Sequence, residues 1–165
     1  RLSQLDEGGA LPHEQVSLLE LAQEAARSLT AQAAAQAVHI SVTGTAGTVF
    51  GVRRLLYEIA RNLCENAVKY NVPGGSVTVE VAETDRDVTL LVRDTGIGIP
   101  EGDQSRVFER FYRVDKSHSR AAGGTGLGLS IVKHAVAYHH GTLRLESQPG
   151  KGTAITVTLP KEPTE

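Results

Sequence analysis

Ala122-Gly123-Gly124-Thr125-Gly126-Leu127-Gly128-Leu129-Ser130-Ile131-Val132-Lys133 runs a glycine cluster straight into an apolar segment. Leu127, Ile131, Val132, Ala135 and Val136 recur there at helical spacing. Glycine lets the main chain take positive φ and approach a ligand closely. A helix start carries unpaired N–H groups and partial positive charge. Together they make a phosphate cradle. The plainer alternative is a flexible loop ahead of an ordinary core helix, and the rest of the chain has to decide.

Just upstream, residues 95–126 are rich in glycine and charge, with little periodicity beyond a short turn near Arg106–Tyr112. A loop this long inside a compact domain is usually functional. Before it, Val77, Val79 and Val81 alternate, as do Val88, Leu90 and Val92, which predicts an antiparallel hairpin around Thr84–Asp87. After the glycine-started helix, which runs to about His140, Leu143 and Leu145 and then Ala154, Ile155, Val157 and Leu159 form two more strands. They flank the turn Pro149-Gly150-Lys151-Gly152.

Towards the N-terminus, one helix is expected from Ser17 to about Gln36, with Ser17 and Glu20 as a capping box. A second spans residues 52–70, with Leu55, Leu56, Ile59, Leu63 and Ala67 inward. Short strands are expected at His13–Val16, around Val38–Val42 and at Thr48–Phe50. The order is helix, strands, helix, hairpin, long loop, helix, hairpin. This is an α+β pattern: an α/β sandwich with a mixed, mostly antiparallel sheet and about three helices on one face.

A chain of 165 residues fits one main domain, and its net charge of −2 shows no basic face for nucleic acid. The one cysteine, Cys64, excludes an internal disulfide, and no apolar run is long enough for direct membrane contact through a span. The chain has no methionine and starts at Arg1, so we expect a piece of a longer protein. Residues 1–10 are expected to be the tail of a preceding helix and a linker, 11–160 the main domain, and 161–165 a C-terminal tail.

Asn62 and Asn66, four apart, share one face of the second helix, and Lys69 and Tyr70 extend it by about one turn. Asparagine is a poor helix-interior residue. The face is either simply solvated or a carboxamide site for Mg²⁺ with lysine and tyrosine toward phosphate oxygens. Asp94, at a strand end before Thr95-Gly96-Ile97-Gly98-Ile99-Pro100, either ends a strand in a turn or accepts a hydrogen bond from an exocyclic amine. The Rossmann pattern lacks its third glycine at the right spacing and the strand before it, Gly150-Lys151 is followed by Gly152 and so makes no P-loop, and no HRD and DFG pair is present. Adjacent His139 and His140 do not share a helix face and lack companion ligands, so they read poorly as a metal site.

Four stretches together resemble the catalytic, ATP-binding domain of two-component sensor histidine kinases, in the superfamily shared with gyrase B, Hsp90 and MutL. Asn62-Leu63-Cys64-Glu65-Asn66-Ala67-Val68-Lys69-Tyr70 resembles its N box, and Asp94 to Pro100 its first glycine box. Val107-Phe108-Glu109-Arg110-Phe111-Tyr112-Arg113 resembles its F box, and Gly124 to Lys133 its second glycine box. The four stand in family order over about residues 50–160. The wording around Phe111–Lys116 is similar to the phosphate-sensing, membrane-anchored branch.

The resemblance implies a Bergerat-type fold, ATP and Mg²⁺ as cofactors, and transfer of the γ-phosphoryl group to a histidine, then to a response-regulator aspartate. It implies the cytoplasmic domain of a membrane-anchored bacterial protein. Its partners would be its own dimerisation domain, in a homodimeric parent, and a response regulator. By the same resemblance Asn66 ligates Mg²⁺ with Asn62 assisting, and Lys69 and Tyr70 contact the phosphates or ribose side. Asp94 reads the adenine amine, with Gly96 and Ile99 in the same box, and Gly98 lets the ring in. Arg113 approaches the γ-phosphate. Thr125, Gly126, Leu127, Gly128 and Leu129 belong to the phosphate loop, where Gly126, Leu127 and Gly128 offer N–H groups, and Thr153 supports adenine recognition through water.

Two departures carry information. Hydrolysing members place a glutamate base where this chain has Asn62, which favours transfer over hydrolysis. The phosphoacceptor box is missing: His13-Glu14-Gln15-Val16 supplies only its first pair, so the acceptor histidine is expected upstream and the piece alone should be inactive or weak. An ATPase of the gyrase kind and a non-catalytic ATP-binding scaffold are the alternatives. Val52, where relatives start the helix with an acidic residue, is expected to weaken its cap. A lid is expected from about Ile99 to Thr125, poorly ordered or displaced without nucleotide, with Leu127–His140 fixed.

Overall fold

The computed structural model describes residues 11–109 and 128–162. Strand β1 (Glu14–Ser17) pairs antiparallel with β3 (Thr48–Gly51) in a two-stranded sheet. The other strands are β2 (His39–Gly44), β4 (Ser76–Glu83), β5 (Asp87–Asp94), β6 (Thr142–Gln148) and β7 (Gly152–Pro160). They form one sheet in the order β2-β4-β5-β7-β6, and only the β2–β4 pair is parallel. The parallel pair needs a long crossover, and β3 with helix α3 (Arg53–Lys69) provides it.

Alternation decides which face is buried. Val77, Val79 and Val81 on β4, Val88, Leu90 and Val92 on β5, and Ile155, Val157 and Leu159 on β7 are all buried. Their register stacks Val92 beside Val79 and Ile155, and Leu90 beside Val81 and Val157. Helix α1 (Leu18–Ser28) covers the β2 and β4 side of this face, α3 the β4 and β5 side, and α4 (Gly128–Tyr138) lies on α3 and β6. The mixed α+β sandwich with a mostly antiparallel sheet agrees with the sequence pattern.

The helix expected from Ser17 to Gln36 is two helices, α1 and α2 (Thr30–Gln36), parted at Leu29 with φ −106° and ψ 8°. The break has a local cause. The Ser28 hydroxyl donates to the Ala25 carbonyl at 2.7 Å and the Thr30 hydroxyl to the Arg27 carbonyl at 2.9 Å. Such back-bonding competes with the helical ladder. It turns Leu29 into the core, where it is 1% exposed. At the front of α1, Ser17 caps as expected, its Oγ accepting the Glu20 N–H at 3.3 Å.

Helix α3 opens at Val52, whose side chain makes no cap, as the sequence indicated. The Val52 N–H instead donates to Nε2 of His139 at 3.1 Å, while His139 Nδ1 meets the Ala135 carbonyl at 2.8 Å. The first bond requires an acceptor at Nε2, so the proton sits on Nδ1. His139 is fully buried, and this burial pushes its pKa down from the ordinary value. His139 and His140 read as a poor metal site in the sequence; His139 is a structural tie between α3 and the end of α4.

Candidate functional site

Asp94 closes the inward row Val88, Leu90, Val92 of β5, so period-two geometry turns its side chain to the helix side at the sheet's end. It stands opposite Val77 and Thr153. Its Oδ1 accepts the Gly96 N–H at 2.8 Å and the Thr153 N–H at 3.2 Å. Burial pushes its pKa up to about 6, against the pull of those two hydrogen bonds. Both donors fall on one oxygen, which leaves Oδ2 to meet a further donor.

The loop after Asp94 is fastened on both sides. The Ile97 N–H donates to the Tyr70 carbonyl at 3.0 Å, and a Cβ on Gly96 would strike that same carbonyl. Gly98 has φ +76°, and the direction of its missing Cβ is filled by the Gln148 carbonyl. Its glycine is therefore required by close main-chain packing as well as by its positive φ. The Ile99 N–H donates to Ser147 Oγ at 2.8 Å. Ser147 Oγ lies 2.8 Å from the Thr153 hydroxyl, so Thr153 serves Asp94 through its N–H and the loop through its side chain. Gln104 Nε2 donates to the carbonyls of Ile99 at 2.9 Å and Ser147 at 3.1 Å.

Helix α3 supplies the second wall. The Asn62 Nδ2 donates to the Glu58 carbonyl at 2.8 Å. Its Oδ1 faces α4, 3.1 Å from where a Cβ on Gly128 would stand. Among the described residues nothing hydrogen-bonds the Asn66 carboxamide. Tyr70 ends the helix, its N–H bound to the Asn66 carbonyl at 3.1 Å. Thus Asn62 adjoins the start of α4, Tyr70 adjoins the Asp94 loop, and Asn66 stands midway, about 6 Å along the axis from each. Lys69 Nζ lies 3.9 Å from Glu65 Oε2 with its side chain only 14% exposed.

Gly128 opens α4 and Leu129 packs partly buried against the core. Arg113, Thr125, Gly126 and Leu127 lie outside the described residues, as does most of the expected lid. Sequence reasoning missed Ser147 and Gln104, which hold the Asp94 loop onto β6. It also missed Asn71, whose carboxamide joins the Ser76 carbonyl and the Val72 N–H at the exit of α3. Ser147 receives the Ile99 N–H from 48 positions away and Gln104 reaches the Ser147 carbonyl from 43, too far to leave a local pattern; the Ser76 and Val72 partners of Asn71 are local, and the Asn71-Val72-Pro73-Gly74 turn composition hinted at them.

A donor set of carboxamides suits Mg²⁺ if it keeps water and phosphate oxygens for most of its shell. The Asn66 carboxamide, without a hydrogen bond among the described residues, could offer one such oxygen, and Asn62 lies on the same stripe. Among the described residues no cluster of three or more His, Cys, Asp or Glu is arranged to hold a metal.

The sequence profile of the family described as histidine kinase-, DNA gyrase B-, and HSP90-like ATPase matches residues 51–163. The chain is 47% identical over 133 residues to the sensor-like histidine kinase SenX3 of Mycolicibacterium smegmatis, covering 79% of this chain and 35% of that protein. It is 49% identical over 105 residues to the sensor histidine kinase WalK of Bacillus subtilis, covering 62% of this chain and 17% of that one. Among solved structures, the mycobacterial sensor histidine kinase MprB superposes with TM-score 0.79 at 34% identity, covering 93% of this chain and all of that one. The chain therefore spans about a third or less of the curated relatives it matches.

Proposed function

The chain belongs to the histidine kinase-, DNA gyrase B-, and HSP90-like ATPase family, and from that premise we propose that it binds Mg-ATP and donates the γ-phosphoryl group to a histidine. That histidine would lie on the dimerisation domain of a sensor kinase, for relay to a response-regulator aspartate. The ATP-binding fold and the kinase class of the relatives support this in general. The domain division belongs to the same proposal: 1–10 would be the tail of the dimerisation helix and linker, 11–160 the ATP-binding catalytic domain and 161–165 a C-terminal tail.

In this reading the Asp94 carboxylate takes the adenine amine on Oδ2, held by its two N–H donors on Oδ1. Asn66, assisted by Asn62, would hold Mg²⁺, which supplies charge neutralisation to the phosphates. Lys69 and the N-terminal N–H groups of α4 would contact the triphosphate, and Arg113 would approach the γ-phosphate. Catalysis would rest on positioning and on fixed positive charge, without a covalent enzyme intermediate.

One observation favours transfer over hydrolysis. The position for a water-activating carboxylate is Asn62, and its amide is spent on the Glu58 carbonyl. Glu65, beside Asn66, has one oxygen on Arg61 at 2.8 Å and the other facing Lys69. Neither is a base for water. The test mixes this chain with the parent's helical dimerisation domain and labelled Mg-ATP. Acid-labile, base-stable phosphohistidine on the added domain is expected. Phosphate release without labelled protein would instead assign hydrolysis.

A further inference from the structure

Helix α3 carries two neighbouring stripes. Asn62, Asn66 and Tyr70 make one, and Arg61, Glu65 and Lys69 make the other, each at four-residue spacing. Lys69 belongs to both. It is four residues from Glu65, about 40° around the helix, and three from Asn66, about 60° the other way. Its ammonium therefore reaches either stripe.

The ion-pair stripe is not uniform. Arg61 is anchored from outside the helix, its Nε donating to Ser28 Oγ on α1 at 3.0 Å. Its Nη1 then holds Glu65 Oε1 at 2.8 Å, a charge-assisted hydrogen bond. Glu65 Oε2 faces Lys69 Nζ at 3.9 Å, an ion pair beyond hydrogen-bond length. The Lys69 side chain is 14% exposed, so its stem is packed while its charge is loosely held. Glu65 is thus held by a close hydrogen bond to Arg61, whereas Lys69 is held at its charged end only by the 3.9 Å ion pair.

We propose that Glu65 is a positioning residue and an internal competitor for Lys69: it parks the ammonium beside the Asn66 stripe, and a polyphosphate must draw the lysine away from it. Triphosphate binding then works against one weak ion pair, while the nucleoside end of the ligand does not feel it. Glu65 thereby lowers affinity for the charged end only. The inference rests on the Mg-ATP site proposed above.

Calorimetry on the full chain, with Mg-ATP and with adenosine as separate probes, decides it. Glu65→Gln keeps a carbonyl for Arg61 and removes the charge facing Lys69. The expected result is Mg-ATP binding about three- to fivefold tighter, the worth of one partly exposed ion pair, with adenosine binding unchanged. Glu65→Asp, which keeps the charge but withdraws it by one methylene, gives a smaller gain. In a Lys69→Gln background the gain from Glu65→Gln disappears. Mg-ATP binding that is unchanged or weakened in Glu65→Gln, or a gain that survives in the Lys69→Gln background, overturns the proposal while leaving the ATP site standing. No Mg-ATP binding by the unmodified chain overturns both.

Discussion

The Thr153 N–H and Asp94 Oδ1 meet at 3.2 Å, joining the second residue of β7 to the last residue of β5 across a cross-strand pair. A carboxylate is thereby fixed at the helix-facing end of the sheet before any ligand arrives. Its orientation comes from main-chain donors, which side-chain substitution elsewhere does not remove.

Asp94→Asn is expected to keep its carbonyl on the Gly96 and Thr153 N–H groups and to present an NH₂ where the carboxylate accepted. Donor would then face donor at the adenine amine. Adenine-nucleotide affinity should fall by about 30-fold or more, the cost of an unpaired buried polar group. Unchanged affinity for Mg-ADP in calorimetry would place the base elsewhere.

The same substitution tests the acid–base character of the free site. The folded pKa of Asp94, about 6, lies above its ordinary 3.8. The protonated form is thus favoured in the fold: its contribution is full below 3.8 and is lost as pH rises through 6. Asp94→Asn, neutral throughout, should melt above the unmodified chain at pH 8, with the advantage shrinking as pH falls toward 5. Nucleotide binding to the unmodified chain should weaken below pH 6, because the acceptor becomes protonated. Thermal melts and binding isotherms across that range read both effects.

Asn66→Ala should leave the fold intact, since alanine is the better helix former and no bond from the carboxamide to the described residues is lost. Melting should stay within about 3 °C, roughly 1 kcal/mol for a chain of this size. The enhancement of ATP binding by Mg²⁺ should drop about tenfold or more. A titration of Mg²⁺ at fixed ATP measures it, and full retention of the enhancement would remove Asn66 from the metal.

His139 predicts an acid-labile fold. Its folded pKa lies below the ordinary 6.5, so its stabilisation is present above that pH and lost as pH falls below it. Protonating Nε2 would turn two donors on each other at Val52. His139→Phe should cost about 1–3 kcal/mol at neutral pH by orphaning the Val52 N–H. It should also flatten the loss of stability between pH 6.5 and 5, which melting curves would show.

The strands were legible because one face is wet and one is dry: the Val-x-Val-x-Val rows of β4 and β5 have no other physical reading. The same alternation, carried two residues past Val92, points Asp94 inward. The asparagine stripe on α3 was equally visible from spacing. What stayed hidden was set by contacts distant in sequence. Nothing near Ser147 announces that it receives the Ile99 N–H, 48 positions away. His139 looked unremarkable because its partner, a main-chain N–H, has no side-chain signature. The break at Leu29 did leave a trace in Ser28 and Thr30, which the strong apolar periodicity on both sides outweighed.

The tie between His139 and Val52 also gives α4 a mechanical identity. The helix is pinned one residue beyond its C-terminal end to the start of α3, by a hydrogen bond inside a dry core. Its other end begins at Gly128, close to Asn62. His139 therefore anchors the C-terminal end of α4 about 16 Å along the axis from the residue that the glycine stretch leads into. Over that length an angular change of a few degrees at the anchor amounts to about an ångström at Gly128.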